Sequence, residues 1–286
     1  MPLNPLVSIV ITTYNRSDSL SIVLKALEKQ TDTAFEVVIA DDGSSNQHCD
    51  VIRDAANRCS YAVAHVWHPD TGFTVSRARN LGITVARQAY IILLDGDCVP
   101  DKDFVAQHKR MRQSGCLVTG SRILLTEAFT DKVIGESEDI VGKSAGYWLN
   151  SWRRGQVNKL THLCRLPNGA YRIQPKFKWQ GIRSCNMGLW RKDLEVVNGF
   201  DATFEGWGHE DADLVLRLFH AGVLRKKSFC ATEVFHLWHP EANRNAESNN
   251  RDRVRERIQN GVVRAPLGLE ECQHVSDYEV THFLHW

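Results

Sequence analysis

Over its first hundred residues the chain alternates short, β-branched apolar runs with segments of helical periodicity, and no other feature limits the possible folds as much. Val7-Ser-Ile-Val-Ile-Thr12 reads as a strand, and Ser17 can cap a helix to about Gln30 with apolar positions at Leu20, Val23, Leu24 and Leu27. Phe35 to Ala40 is a second strand, followed by a helical stretch to about Cys59. Tyr61 to Trp67 is a third strand, Ser76 to about Arg87 a third helix, and the run from Tyr90 a fourth strand. This order implies an α/β fold with a mostly parallel central sheet, right-handed crossovers and flanking helices. Such sheets bind ligands at the carboxyl ends of their strands. Thr12-Thr-Tyr-Asn-Arg16, Asp41-Asp42 and Asp95-Gly96-Asp97 are therefore expected at one rim.

Beyond Pro100 the pattern loosens. Asp101 to Gly115 reads as a helix and Cys116 to Leu125 as one strand; 126–180 is mixed and rich in aromatics. Ser184 to Trp190 is a strand, GWGHEDADLVLRLFHAG from Gly206 leads into a helix stopped by Gly222, and Cys230 to Phe235 is a further strand running into His236-Leu-Trp-His239. The tail from about Glu247 is polar, a surface helix with extended segments. The organisation expected is 1–100, a second portion 101–245, and a tail 246–286.

Charge excludes some partners. Lys and Arg number 35 against 34 Asp and Glu, for a net charge of +1, so no global field draws nucleic acid. No apolar run reaches the roughly 18 to 20 residues of a membrane span, and MPLNPLVSIVITTYNR lacks the regions of a secretory leader. A cytoplasmic location is expected. The eight cysteines are scattered without C-x-x-C spacing and are read as reduced side chains.

Four groups of residues carry candidate chemistry. Asp95 and Asp97, two apart in an extended segment, project to one side; two hard oxygen donors can hold a divalent cation, or one the metal and the other a sugar hydroxyl. The bland alternative is a turn, since Asp and Gly are common there. Gly96 between them leaves room for a ligand to approach the backbone. Glu210 and Asp211 can either stabilise a helix start or supply a base, and Trp207, held between Gly206 and Gly208, suits the apolar face of a sugar ring. His236 and His239 are surface histidines or, beside carboxylates, ligands suited to Mn²⁺. Asp42 follows the second strand, where a nucleotide's base or ribose is gripped; Arg77 and Arg79 are solvated helix charges or neutralise a diphosphate. Neither G-x-x-x-x-G-K-[ST] nor G-x-G-x-x-G follows a strand.

Taken in order, VSIVITTYNR, VVIADDGS, ARNLGI, LLDGDCVP, GWGHEDADL and VFHLWH resemble the family 2 glycosyltransferases of the GT-A fold. The later half resembles the galactosyltransferase-type segment of bacterial chondroitin-polymerase-like enzymes. The resemblance covers about residues 5 to 245, with 126–180 poorly matched. It implies a nucleotide-sugar-binding half over 1–100 and an acceptor-binding and catalytic half over 101–245. It further implies Thr13 (or Thr12), Tyr14 and Arg16 around the uracil, Asp42 on the base with Asp41 supporting its loop, and Arg79, less so Arg77, near the nucleotide. Asp95 would meet the ribose or donor sugar, with Gly96 beside it. Asp97 would coordinate Mn²⁺ or Mg²⁺ together with His236 rather than His239. Asp211 would be the catalytic base, Glu210 would bind a sugar hydroxyl and Trp207 would form part of the platform. The activity implied is inverting transfer of galactose, N-acetylgalactosamine or a related hexose from a UDP-sugar to a glycan or lipid-linked acceptor. Trp148-Leu-Asn-Ser-Trp-Arg-Arg154 is either a glycan contact, a peripheral contact with the inner membrane face, or a partly buried helix. A metal-dependent nucleotidyltransferase and a non-catalytic sugar-nucleotide-binding module are the alternatives.

Overall fold

The computed structural model describes residues 6–179, 181–204, 206–240 and 247–283. The amino-terminal part follows the expected alternation: β1 Val7–Thr13, α1 Ser17–Leu27, β2 Phe35–Asp41, α2 Asn46–Ala56, β3 Ala62–Trp67, α3 Val75–Val85, β4 Tyr90–Asp95. There follow β5 Cys98–Pro100, α4 Phe104–Met111, β6 Cys116–Thr119, β7 Arg122–Leu124, α5 Glu127–Gly135, α6 Ala145–Arg153 and β8 Ile173–Gln174. The rest comprises β9 Asn186–Trp190, α7 Arg191–Val196, α8 Glu210–His220, β10 Leu224–Lys227, β11 Val234–His236, α9 Glu247–Asn260, α10 Leu269–Cys272 and β12 Glu279–His282.

Among the described residues β12-β3-β2-β1-β4-β9-β6-β10-β8 form one sheet, and β5-β11-β7 a second, smaller one. The run β3-β2-β1-β4 is parallel, as expected, while β9 returns antiparallel beside β4 and β6. Because β1 is buried along its whole length, it reads as a continuous apolar run, and its alternate residues serve two layers. Ile9 and Ile11 pack with Leu20, Val23 and Leu27 of α1 on one face; Val10 packs with Leu81 and Ile83 of α3 on the other. Helix α3 lies close to the sheet because Gly82 carries no side chain: a Cβ there would stand 2.7 Å from Val10 Cγ1 and 2.9 Å from Ala40 Cβ.

Two expectations are corrected, and the Trp148–Arg154 stretch proves to be a partly buried helix. The single strand over Cys116–Leu125 is two strands in different sheets, parted at Gly120, whose missing Cβ leaves room for the Asn186 side chain. The strand expected over Cys230–Phe235 is confined to Val234–His236, because Cys230 lies in the left-handed region at φ 54°. Trp148 is fully buried, stacked at 4.3 Å on Phe235, whereas Trp152 on the same helix is exposed. No helix among the described residues is long and apolar enough to cross a membrane.

Candidate active site

The rim at the carboxyl ends of β1, β2 and β4 gathers the first group of acids. Asp95 ends β4 opposite Thr12, whose hydroxyl donates to Asp95 Oδ1 at 2.8 Å. The turn after it is pressed against β1: Gly96 N–H donates to Thr12 O at 2.8 Å, and a Cβ on Gly96 would lie 2.9 Å from that carbonyl. The room expected at Gly96 for a ligand is thus taken by the protein's own backbone. Thr13 Oγ1 is buried with no hydrogen-bond partner.

Tyr14 is half-exposed and donates to Asp70 Oδ2 at 2.8 Å; Arg16 is tied to Asp18 at 3.2 Å and to the Ser19 hydroxyl. Asp41 is fully buried and holds the turn after β2, accepting from Ser44 N–H at 2.8 Å and pairing with His65 at 2.9 Å. Asp42, also buried, accepts from both the N–H (3.0 Å) and the hydroxyl (2.6 Å) of Thr74 and lies 3.2 Å from His68 Nε2. His68 and Thr74 escape sequence reading, since neither lies in a recognisable pattern. Arg77 points away from this group, to Asp277 in the tail at 2.5 Å.

Arg79 joins the two acidic motifs. Its side chain is 5% exposed, with Nη2 3.2 Å from Asp95 Oδ1 and Nη1 3.2 Å from Glu210 Oε1. Burial opposes its charge, but Asp95, Glu210 and Asp211 more than restore it. The guanidinium thus bridges one carboxylate from each motif.

Asp211 sits beside this bridge in the first turn of α8. Burial, with the neighbouring Glu210 charge, pushes its carboxyl pKa up to about 7, against Arg79 and the N–H groups of Ala212 and Ser184. A carboxyl tuned toward neutrality is suited to accept a proton. Trp207 is half-buried and flanked by Gly206 at φ 72° and Gly208 at φ 109°, a left-handed pair that glycine adopts without strain.

Asp97 is met by both histidines. His239 Nε2 lies 3.1 Å and His236 Nε2 3.7 Å from Asp97 Oδ2, and Leu237 N–H donates to Asp97 O at 2.9 Å. Burial works against ionisation of Asp97, but His239's hydrogen bond and both imidazole charges hold its pKa well below the usual carboxylate range. Burial lowers the His236 pKa, while the bond to Asp97 raises that of His239. Since His239 Nδ1 bonds Pro240 O at 2.8 Å, its Nε2 is the nitrogen free to face the carboxylate. Asp97, Cys98 and His236 also present their donor atoms within 4.8 Å of one another. One carboxylate with imidazole nitrogens is a donor set that fits Mn²⁺, whereas the Cys98 thiol, its pKa raised first by burial, stays protonated and is a poor ligand.

This parallel sheet, with an acid turn after β4 and a second acid pair bridged to it, defines a sugar transferase of the GT-A type. The chain belongs to the family described as "Glycosyl transferase family 2", whose model matches residues 8–194; a second model, "N-terminal domain of galactosyltransferase", matches 165–240. Among its relatives, the hyaluronan synthase of Pasteurella multocida is 29% identical over 75% of this chain and 23% of its own. The validoxylamine A glucosyltransferase of Streptomyces hygroscopicus subsp. jinggangensis is 30% identical over 77% of this chain and 52% of its own. The chain therefore spans a quarter to a half of these relatives. Among solved structures, the mannosyltransferase PcManGT of Pyrobaculum calidifontis, in complex with GDP-Man and Mn²⁺, superposes with a TM-score of 0.53 at 15% identity, over 82% of this chain and 58% of its own. The protein is a glycosyltransferase, which sets aside the nucleotidyltransferase and non-catalytic alternatives.

Proposed function

We propose that the protein is an inverting, metal-dependent transferase that moves galactose, N-acetylgalactosamine or a related hexose from a UDP-sugar to a hydroxyl of a glycan or glycolipid, in surface polysaccharide synthesis. The observation that carries this reading is the bridge from Asp95 through Arg79 to Glu210, which sets the donor-side acids beside Asp211. The hyaluronan synthase relative supports polysaccharide synthesis, and the Mn²⁺ complex of the mannosyltransferase supports metal use.

In this reading residues 1–100 bind the donor, with Thr13, Tyr14, Arg16 and Asp42 around the uracil, Asp95 on the ribose or sugar, and Trp207 under the sugar ring. Residues 101–245 bind the acceptor, and 246–286 form the tail. A divalent cation held by Asp97 and His236, when bound, supplies Lewis-acid stabilisation to the departing diphosphate. Asp211 takes the proton of the acceptor hydroxyl as that oxygen bonds to the anomeric carbon, and Glu210 holds a neighbouring sugar hydroxyl. The bond to the diphosphate breaks on the opposite face, so an α-linked donor gives a β-linkage. The place of action proposed is the cytoplasmic side, at the inner membrane face when the acceptor is lipid-linked.

The deciding experiment is UDP release across a panel of UDP-sugars with Mn²⁺, with and without acceptor glycans. Slow hydrolysis of one donor, accelerated by acceptor, is expected. Release of pyrophosphate, or of nothing from any donor, would remove the reading.

A further inference from the structure

Helix α9 has no part in the site described so far, and residues 247–260 lie outside both matched family segments. Its sequence, ESNNRDRVRERIQN, reads as a solvated helix with little to bury. The buried residues along it are Asn250 and Val254, the latter packed with Phe204 and Leu216. One valine is a slender hold for fourteen residues, and charge supplies the rest.

Arg257, its side chain 13% exposed, sets one guanidinium nitrogen on each of two fully buried acids. Nη1 donates to Asp213 Oδ1 at 2.6 Å and Nη2 to Asp201 Oδ2 at 2.6 Å. The other oxygen of Asp213 accepts from Arg217 Nε at 2.7 Å, and Arg217 also donates to Val197 O at 2.6 Å. The other oxygen of Asp201 accepts from the N–H (2.9 Å) and the hydroxyl (2.7 Å) of Thr203. Two carboxylates thus face two guanidinium groups, with Arg253 at 3.8 Å from Asp201 as a third, so the cluster is held from every side. Arg253, one turn earlier on α9, donates to Thr203 O at 2.7 Å and to its hydroxyl at 2.6 Å, and lies 4.1 Å over the Phe204 ring.

Both anchored segments lead into the site. Asp213 lies in the first turn of α8, where its N–H donates to His209 O at 2.9 Å. At 3.6 residues per turn, Asp213 stands about 200° around the helix from Asp211. The anchor and the base therefore occupy opposite sides of one turn. Asp201 to Phe204 is the loop that runs on to Gly206-Trp207-Gly208. We propose that Arg257, supported by Arg253, is a positioning residue for sugar transfer: it fixes the first turn of α8 and the loop before Trp207, so that Asp211 and Glu210 are held at the rim. The inference rests on the transferase reading for the role of Asp211, but one arm of its test requires no turnover.

That arm is amide hydrogen exchange on the full chain. In Arg257→Gln, amides over 206–213 should exchange about tenfold faster than in wild type, while β1 to β4 keep their protection. Arg257→Lys should fall between, since a point-charge ammonium cannot pair with both acids as the guanidinium fork does; it carries the comparison where the glutamine variant fails to fold. Val254→Ala removes packing from the same helix, and it should lower the melting temperature while 206–213 exchange near the wild-type rate. Unchanged exchange in the Arg257 variants, or equal acceleration in Val254→Ala, overturns the proposal. The second arm is UDP release from UDP-galactose and UDP-N-acetylgalactosamine with Mn²⁺. There kcat should fall roughly 10- to 100-fold in Arg257→Gln, the scale of a misplaced reacting group, with donor KM and the kcat of Val254→Ala near wild type. A change confined to KM overturns the positioning role. If wild type turns over neither donor, the reading of those donors has failed, and the exchange comparison decides the α9 anchor by itself.

Discussion

Arg79 and Glu210, 131 residues apart in the chain, lie 3.2 Å apart at the rim, and the same guanidinium reaches Asp95. Arg79→Gln would leave two carboxylates facing each other without their cation. Removing one partner of a buried pair costs about 3 kcal/mol or more, so a clear drop in melting temperature and loss of transfer are expected. Arg79→Lys should recover part of the stability but little activity, because one ammonium cannot span both acids in the guanidinium geometry. A fully active glutamine variant would show that the bridge is dispensable.

Asp211→Asn should lower transfer by about 10²- to 10⁴-fold, the usual worth of a general base, while UDP-sugar affinity stays nearly unchanged by calorimetry. Wild-type turnover in this variant would take Asp211 out of the role.

The raised pKa of Asp211, about 7, gives two pH effects. A base must be ionised, so kcat/KM should rise with pH and level off above about 7. A carboxyl that holds its proton more tightly folded than unfolded stabilises the fold at low pH, and that contribution is lost as pH rises through the folded value. The melting-temperature advantage of Asp211→Asn over wild type should therefore be larger at pH 8 than at pH 5. An advantage independent of pH would contradict the shift.

Chelator should stop the reaction and Mn²⁺ restore it; full activity in excess chelator would exclude metal dependence. His236→Ala should weaken Mn²⁺ by more than the roughly 10- to 100-fold typical of lost outer partners. His239→Ala should stay within that range, since an imidazole that donates from Nδ1 to Pro240 O and from Nε2 to Asp97 orients the carboxylate without offering a lone pair to the metal. The reverse order of the two variants would exchange their roles.

Gly82→Ala tests packing away from the chemistry. The added methyl would press on Val10 and Ala40, and overpacking of this kind costs about 1–3 kcal/mol. A destabilised protein is expected in urea titration, and an unchanged midpoint would mean that α3 can lift from the sheet.

The parallel half of the fold is legible because each of β1 to β4 is buried on both faces and so is written almost entirely in apolar residues. β10 escapes the eye because Leu-Arg-Lys-Lys reads as polar surface. In the fold, Arg225 is buried with its guanidinium bound to Lys178 O and Gly181 O, and Lys226 reaches Gln113, satisfactions that depend on distant segments. β12 escapes because it is an exposed edge strand. In the site, the acids and histidines stand out by type and order. The Arg79 bridge does not, since a helical Arg-x-Arg gives no sign of which arginine turns inward.

The small sheet β5-β11-β7 fixes Asp97 and His236 to each other through its own backbone: His236 registers with Cys98 on one side and with Leu124 on the other. The chain between Leu124 and Val234 leaves and re-enters at adjacent points. That excursion carries Glu210 and Asp211, so the small sheet returns the base-bearing segment to the metal-side residues in one fixed register, and loops along the way can change length without re-aiming Asp97 or His236.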